Sequence, residues 1–575
     1  MKRLSFGLVV LVFLSLLAAC GGAGAPAKFD QVRNGLDHGG GSTGGSNAQQ
    51  FPTTGASATS APAPTTAALQ PMTEATAPLG GAPAPAPTQA PPTSAEAATA
   101  AATVEPGPSN GTAPADTTPA DSVFFQNYGT NPFVETASDP QSTFAMDIDT
   151  ASYTVMRNAV NSGILPDPNS VRPEEYVNFF DYQYPQPESG DFAIYTEAGP
   201  SPFGGPQYQL VQIGIQGKQI SAAQRKPAAL TFVIDSSGSM QQEDRLEVVK
   251  QAMAMLTEEM RPDDTIAIVT YGSEGRVVLP PTGGAEKATI LGALNSLYAE
   301  GSTNAQGGLE VGFQQADAMF GAEKINMILL CSDGVANNGI TDPDGLLERN
   351  RQYLDKGIQV STFGFGMGNF NDVLMEQLAN KGDGAYAYID SLDEARRVFI
   401  ENLTGTLQTI ARDAKIQVEF NPNVVTRYRL IGYENRDVAD RDFRNDTVDA
   451  GEVGAGHSVT ALYEIRRVDG ADGEVATVRI RYQKPDSQEV VEQAQGLSTD
   501  LIRGAVGDTT PRFKLAASVA QYAELMRYSF FARGEELDQV VALAESGAEG
   551  FNGAPDAVEF VSLLKRAVQL APAKR

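Results

Sequence analysis

One stretch constrains this chain more than any other: Leu230-Thr-Phe-Val-Ile-Asp235-Ser-Ser-Gly-Ser239-Met. A short apolar, β-branched run ends abruptly in a carboxylate, spaced hydroxyls and a glycine. The run predicts a strand buried on both faces, as in a parallel sheet, and the polar tail predicts the loop at its C-terminal end. In open α/β sheets ligands bind at that end. Asp235, Ser237 and Ser239 offer oxygen donors of the kind a hard cation takes.

The surrounding pattern supplies a sheet. From 227 to 412 predicted strands (Ala229–Ile234, Thr265–Tyr271, Ile325–Cys331, Gln359–Phe365) alternate with predicted helices (Arg245–Met260, Ala288–Tyr298, Ala305–Phe320, Pro343–Lys356, Asp372–Asn380, Leu392–Ala411). In the helix from Arg245, Leu246, Val249, Ala252 or Met253, and Leu256 form one apolar stripe. Such alternation predicts an α/β fold with a doubly wound, mostly parallel sheet and right-handed connections. After 413 the pattern changes to antiparallel strands at Lys415–Phe420, Val424–Tyr433, Ser458–Val468 and Glu474–Gln483, with turns such as Asp469-Gly470. Helices follow at Phe513–Tyr528, Glu535–Ala544 and Pro555–Leu570. Two strands precede the α/β region, Asp191–Thr196 and Tyr208–Gln216. Neither flanking set has enough strands for a covered sheet of its own. The α/β region is therefore expected to be inserted in, or flanked by, an antiparallel β-sandwich, with strands of 191–216 pairing with those of 415–484.

The N-terminus reads as an export signal. Lys2 and Arg3 precede an apolar run from Leu8 to Leu17 that is too short to span a bilayer comfortably. Leu17-Ala-Ala-Cys20-Gly resembles the lipobox of bacterial lipoproteins, in which Cys20 would be lipidated. Residues 21–120 are dominated by Ala, Pro, Thr, Gly and Ser. That composition cannot bury enough apolar surface to offset ordering entropy, so a disordered tether is expected, with an end-to-end reach of ~55 Å. The expected organisation is 1–20 lipoprotein signal, 21–120 tether, 121–226 accessory region of helices then strands, 227–412 α/β domain, 413–500 antiparallel region and 501–575 helical region.

Composition removes several functions. The net charge is −28, and no Lys/Arg cluster stands out beyond the N-terminus, which argues against a nucleic-acid partner. Two cysteines and two histidines, each pair far apart, cannot make a zinc site. A Ser-His-Asp hydrolase would have to use His457, and no G-x-S-x-G elbow surrounds Ser237. Cys331 lies in a buried strand and reads as a small core hydrophobe. Gly364-Phe-Gly366-Met-Gly368 lacks the third glycine of a dinucleotide fingerprint, so no nucleotide or other small-molecule cofactor is expected. One enzymatic rival remains, a metal-dependent phosphohydrolase. An apolar run ending in Asp147-Ile-Asp149-Thr150 is similar to the start of haloacid-dehalogenase-type phosphatases. The run, Phe144-Ala-Met146, is short and soon after Pro140, so Asp149 or Thr150 reads instead as the cap of a helix through Tyr153, Val155, Met156 and Val160. A second helix is expected over Pro173–Phe180, its N-terminus favoured by Glu174 and Glu175.

Two further loops complete the opening pattern: Glu300-Gly-Ser-Thr303-Asn before the Ala305 helix, and Cys331-Ser-Asp333-Gly after a buried strand. The ordered set D-x-S-x-S, Gly-x-Thr and strand-Asp-Gly resembles the von Willebrand factor type A domain and its metal-ion-dependent adhesion site. Asp235, Ser237, Ser239, Thr303 and Asp333 match that motif. The resemblance implies an octahedral Mg²⁺ (or Mn²⁺), hydroxyls bound directly, carboxylates partly through water, and one position left for an Asp or Glu of a partner protein. Asn131-Pro-Phe, Ser142–Tyr153 and Arg172–Tyr184, with the segment from about 395 onward, resemble the accessory regions of a bacterial family of type A domain lipoproteins. The expected protein is thus a non-enzymatic binding module, lipid-anchored in the cell envelope outside the cytoplasm. A scaffold whose metal merely staples loops is a third reading.

Overall fold

The computed structural model describes residues 124–334, 342–367, 370–532 and 536–571. The signal segment, Cys20 and the 21–120 tether lie outside them. An accessory region carries β1 (Val134–Glu135), β2 (Gln141–Ala145), α1 (Ala151–Asn161), α2 (Pro173–Asn178), β3 (Phe192–Pro200) and β4 (Tyr208–Gly217). The alternating region follows: β5 (Ala228–Asp235), α3 (Arg245–Glu259), β6 (Thr265–Tyr271), β7 (Gly275–Gly283), α4 (Lys287–Asn295), α5 (Ala305–Met319), β8 (Ile325–Ser332), α6 (Pro343–Glu348), α7 (Arg351–Leu354), β9 (Gln359–Phe365), α8 (Asp372–Asn380), β10 (Tyr386–Ile389), α9 (Leu392–Arg396) and α10 (Leu403–Leu407). Then come β11 (Thr409–Phe420), β12 (Val425–Ile431), β13 (Gly451–Gly454), β14 (Ser458–Arg467), β15 (Glu474–Gln483) and β16 (Val490–Ser498), and finally α11 (Pro511–Met526), α12 (Leu537–Ala548) and α13 (Pro555–Leu570).

The α/β sheet has six strands in the order β10-β9-β8-β5-β6-β7, parallel except for the edge strand β7. Alternate residues of β5 face opposite layers. Leu230, Phe232 and Ile234 pack with Val249, Met253 and Leu256 of α3. Val233 packs with Leu309 and Phe313 of α5. The sheet is therefore covered on both sides and doubly wound, which is why β5 reads as a continuous apolar run.

Two five-stranded sheets form an antiparallel sandwich around the insertion, β1-β12-β14-β4-β3 and β13-β11-β15-β16, with β2 also paired to β11. Strands of 191–216 and 415–484 do pair across the insertion, as expected, and the structure specifies the ladder: β4 pairs with β14, Ile213 opposite Ala461. Period-2 alternation of β4 decides its two faces. Val211, Ile213 and Ile215 enter the sandwich core with Ile416, Val418, Val478 and Ile480. Leu210 faces the other way, against Tyr176, Tyr522 and Phe560 of the helical layer. On that side Gly214 leaves room for Tyr184, since a Cβ there would lie 2.1 Å from the tyrosine ring.

Several expected elements differ. The helix predicted over Leu392–Ala411 is broken by a π-turn at Arg397–Glu401 and ends at Leu407, and Thr409 already begins β11. Ala411 and Ala414 are drawn into the sandwich core, and burial there outweighs helix propensity. The helix over Pro343–Lys356 splits at Asn350, whose side-chain amide donates to the Leu346 carbonyl at 3.0 Å. Neither Asp149 nor Thr150 caps α1 with a side-chain bond; Glu175 accepts from Ser152 N instead, at 2.7 Å. The segment read as a short run before Asp147 is a true strand, β2, held antiparallel on β11. The edge strand β7 escapes notice because Pro280 and Pro281 sit inside it.

Buried ion pairs fasten the layers together. Arg172 of the accessory region pairs with Glu175, with Asp372 at 2.7 Å and with Glu376 at 3.6 Å on α8. Arg436 reaches Glu376 at 3.3 Å, Asp147 at 3.0 Å and Asp149 at 2.9 Å. Arg429 links Glu464 of β14 at 3.3 Å to Glu524 of α11 at 3.0 Å. Removing the cation of such a cluster strands its carboxylates in a dry place. Arg172→Met should therefore lower unfolding free energy by about 3–5 kcal/mol, read by denaturant or thermal unfolding. Lys218→Ala should cost less than about 1 kcal/mol, because Lys218 is 43% exposed over Asp191.

Candidate metal centre

Strand order reverses between β5 and β8: the chain continues to β6 and β7 on one side and to β9 and β10 on the other. Such a reversal opens a crevice at the C-terminal ends of the two strands, where open α/β sheets hold their ligands. Parallel register sets Ile234 beside Cys331, so Asp235 emerges beside Ser332 and Asp333 follows one residue later. Both aspartates are 0% exposed.

The first loop is held by its own backbone. Ser237 N donates to Asp235 Oδ1 at 2.8 Å, and Ser332 Oγ donates to Asp235 Oδ2 at 2.9 Å. Ser237 and Ser239 turn their hydroxyls toward one another, 3.0 Å apart. The second loop is stitched to the first by main-chain bonds, Gly238 N to Gly301 O at 3.1 Å and Glu300 N to Ser236 O. Gly301 has φ +82°, which a side chain would strain. Buried Thr303 follows, and Asn304 caps α5 by accepting from Gly307 N at 2.9 Å. The third loop turns at Gly334 (φ +87°), where a Cβ would lie 2.6 Å from Asn371 N.

The structure thus carries Asp235, Ser237, Ser239, Thr303 and Asp333 on loops at one end of the sheet. Their donors suit a hard divalent cation: hydroxyls and carboxylates, with no sulfur or imidazole among those five residues. Burial, reinforced by the charge of Asp333, pushes the Asp235 carboxyl up to about 7 against the pull of its hydrogen bonds. A cation between the two carboxylates would remove that penalty.

Two participants were not apparent from the sequence. Ser332 orients Asp235, and Gly334 N donates back to Ser332 Oγ at 3.1 Å. Arg245, the first residue of α3, donates from Nη1 to Asp333 Oδ2 at 3.0 Å. A signal did exist for Arg245: a cation opposes the dipole at a helix N-terminus and calls for a carboxylate partner. Gly366 of the glycine-rich loop makes room for that guanidinium rather than for a nucleotide. Cys331 is a core residue whose thiol burial pushes up, as its sequence context predicts. Asp147 and Asp149 lie elsewhere, after an antiparallel strand, and share Arg436.

The raised Asp235 value carries a sign. A carboxyl that holds its proton more tightly when folded than when unfolded (near 3.9) contributes most stability at low pH and loses it as pH rises toward 7. In chelator, the melting difference between wild type and Asp235→Asn should shift by about 2–3 kcal/mol between about pH 5 and about pH 7.5, against the wild type.

Comparison with known proteins agrees with this architecture. Residues 230–335 match the von Willebrand factor type A domain model, residues 120–212 a von Willebrand factor model, and residues 405–570 the model for the C-terminal region of Uncharacterized protein YfbK. The chain is 36% identical over 470 residues to Uncharacterized protein YfbK of Escherichia coli (strain K12), covering 77% of this chain and 80% of that protein. It is 31% identical over 193 residues to Uncharacterized protein sll0103 of Synechocystis sp., covering 34% of this chain and 44% of that one. Among solved structures, a von Willebrand factor type A protein from Catenulispora acidiphila overlays with TM-score 0.39 at 16% identity, over 64% of this chain and 90% of its own. The match to the Escherichia coli protein spans most of both chains, and the chain belongs to the YfbK family of von Willebrand factor type A domain proteins.

Proposed function

We propose that this protein is a lipid-anchored, extracytoplasmic binding module that uses a divalent metal, Mg²⁺ or Mn²⁺, to grip an acidic side chain of a partner protein. The observation that carries the reading is the convergence of three loops at the switch point, the first two stitched by main-chain bonds and the third tied to the first through Ser332, bearing Asp235, Ser237, Ser239, Thr303 and Asp333. When bound, the metal supplies an electrophilic centre for a carboxylate. The chain's residues orient and shelter it: Ser332 and Ser237 N fix Asp235, and the Gly301 turn places Thr303. With neutral hydroxyls as direct donors, much of the ionic charge is left to attract an Asp or Glu from outside.

Cys20 and the 21–120 tether support anchoring on the far side of a membrane. Among the described residues no helix is long and apolar enough to cross one; the lipid attachment in this reading rests on the lipobox-like Leu17-Ala-Ala-Cys20. The phosphohydrolase alternative is disfavoured by the pairing of Asp147 and Asp149 with a single arginine, which leaves neither poised as nucleophile.

Two measurements test the reading. Mg²⁺ should raise the melting midpoint of the wild type by mass action and leave Asp235→Ala and Thr303→Ala unmoved. Immobilised wild type should retain an envelope protein in Mg²⁺ that it releases in EDTA and that Asp235→Ala does not retain. Retention indifferent to both chelator and substitution would sink the metal-bridged mechanism. Stabilisation by Mg²⁺ with no metal-dependent partner would leave a loop staple instead.

A further inference from the structure

One of the two buried aspartates of the candidate metal centre, Asp333, already meets a cation of the chain's own. Arg245 Nη1 lies 3.0 Å from Asp333 Oδ2, with side-chain exposures of 2% and 0%. The arginine is poorly suited to its helix: as the first residue of α3 it faces the positive end of the macrodipole. The fold nevertheless makes space for it. Gly366, just past β9, has φ +78°, and a Cβ there would lie 2.1 Å from Arg245 Nε. Arginine and glycine are thus fitted to each other, and the guanidinium is delivered to a residue that the site needs as a metal ligand.

We propose that Arg245 is a built-in counter-ion that stands in for the divalent cation at Asp333 when metal is absent and weakens metal binding when it is present. The inference rests on the metal reading above. Facing carboxylates buried without a cation repel one another and would push the loops apart. A tethered guanidinium offsets that repulsion and keeps the site formed. The same fixed charge, held beside a ligand in a medium of low dielectric, opposes an arriving Mg²⁺. The outcome is a pre-formed site of restrained affinity. A partner carboxylate adds the negative charge that Arg245 has cancelled, so metal and partner reinforce one another's binding, and each must raise the other's affinity by the same factor.

The test is calorimetric titration of Mg²⁺ alone into the chelator-stripped full chain, with melting in EDTA as a second readout. Arg245→Gln should bind Mg²⁺ about tenfold tighter than wild type or better, yet melt lower in EDTA. Arg245→Lys, which keeps the charge, should stay within about threefold of wild type. Equal or weaker affinity in Arg245→Gln, or a tenfold gain in Arg245→Lys as well, overturns the proposal and leaves the metal reading standing. Should Arg245→Gln fail to fold in EDTA, recovery in millimolar Mg²⁺ supports the stand-in role, and failure in both conditions overturns it. No Mg²⁺ binding by wild type or by Arg245→Gln refutes the metal reading itself, and the inference with it. Binding by the variant alone is its strongest support.

Discussion

The ladder between β4 and β14 is the constraint on which the rest of the architecture depends. Its strands are separated in sequence by the whole α/β region, yet they lie side by side from Tyr208–Arg466 to Gln216–Ser458. Without it, β3 and β4 would be an isolated hairpin, and β14 would lack a neighbour on one side. With it, one sheet gains two buried faces: Val211, Ile213 and Ile215 close the sandwich, while Leu210 and Leu462 receive the helical layer. A contact of such long sequence separation is costly to close and is rewarded only once both sides are ready. The α/β region, rich in local βαβ contacts, can form before it.

Charge is buried at the joints between layers rather than spread over the surface alone. Arg172 and Arg436 gather Asp147, Asp149, Glu175, Asp372 and Glu376 where the accessory region, α8 and the sandwich meet. Arg157 does the same for α1, pairing with Asp390 at 2.6 Å, Glu394 at 2.8 Å and Glu559 of α13 at 3.2 Å. Carboxylates outnumber arginines at these joints, and burial drives the Asp149 and Glu175 carboxyls well up. Ion pairs of this kind add little net stability over apolar packing, but they fix geometry, because a misplaced element leaves a charge stranded. The same logic operates on a smaller scale at Asp235, Asp333 and Arg245.

The candidate site was legible because its residue types and its position in the fold are both written locally. An apolar run that stops at Asp235, and another that stops at Asp333, announce strand ends, and Thr303 precedes a helix start. The parts that escaped are those whose meaning comes from a distant neighbour. Arg245 reads as an ordinary helix residue until Asp333 is placed beside it. Ser332 reads as a strand terminus until parallel register sets it against Asp235. The early end of the last α/β helix goes with the burial of Ala411 in the sandwich core, which no local propensity encodes.

By itself the sequence determined the α/β class, the two-sided burial of β5, the antiparallel flanks and the pairing of strands across the insertion. Hydrophobic period, turn residues and strand number are properties of short windows and of simple counting. Only the tertiary structure decided which strands adjoin at the switch point, which arginine faces which carboxylate, and where helix yields to strand at Leu407. Those outcomes depend on through-space burial and Coulomb energy between residues far apart in the chain, and such energies exist only once the layers have met.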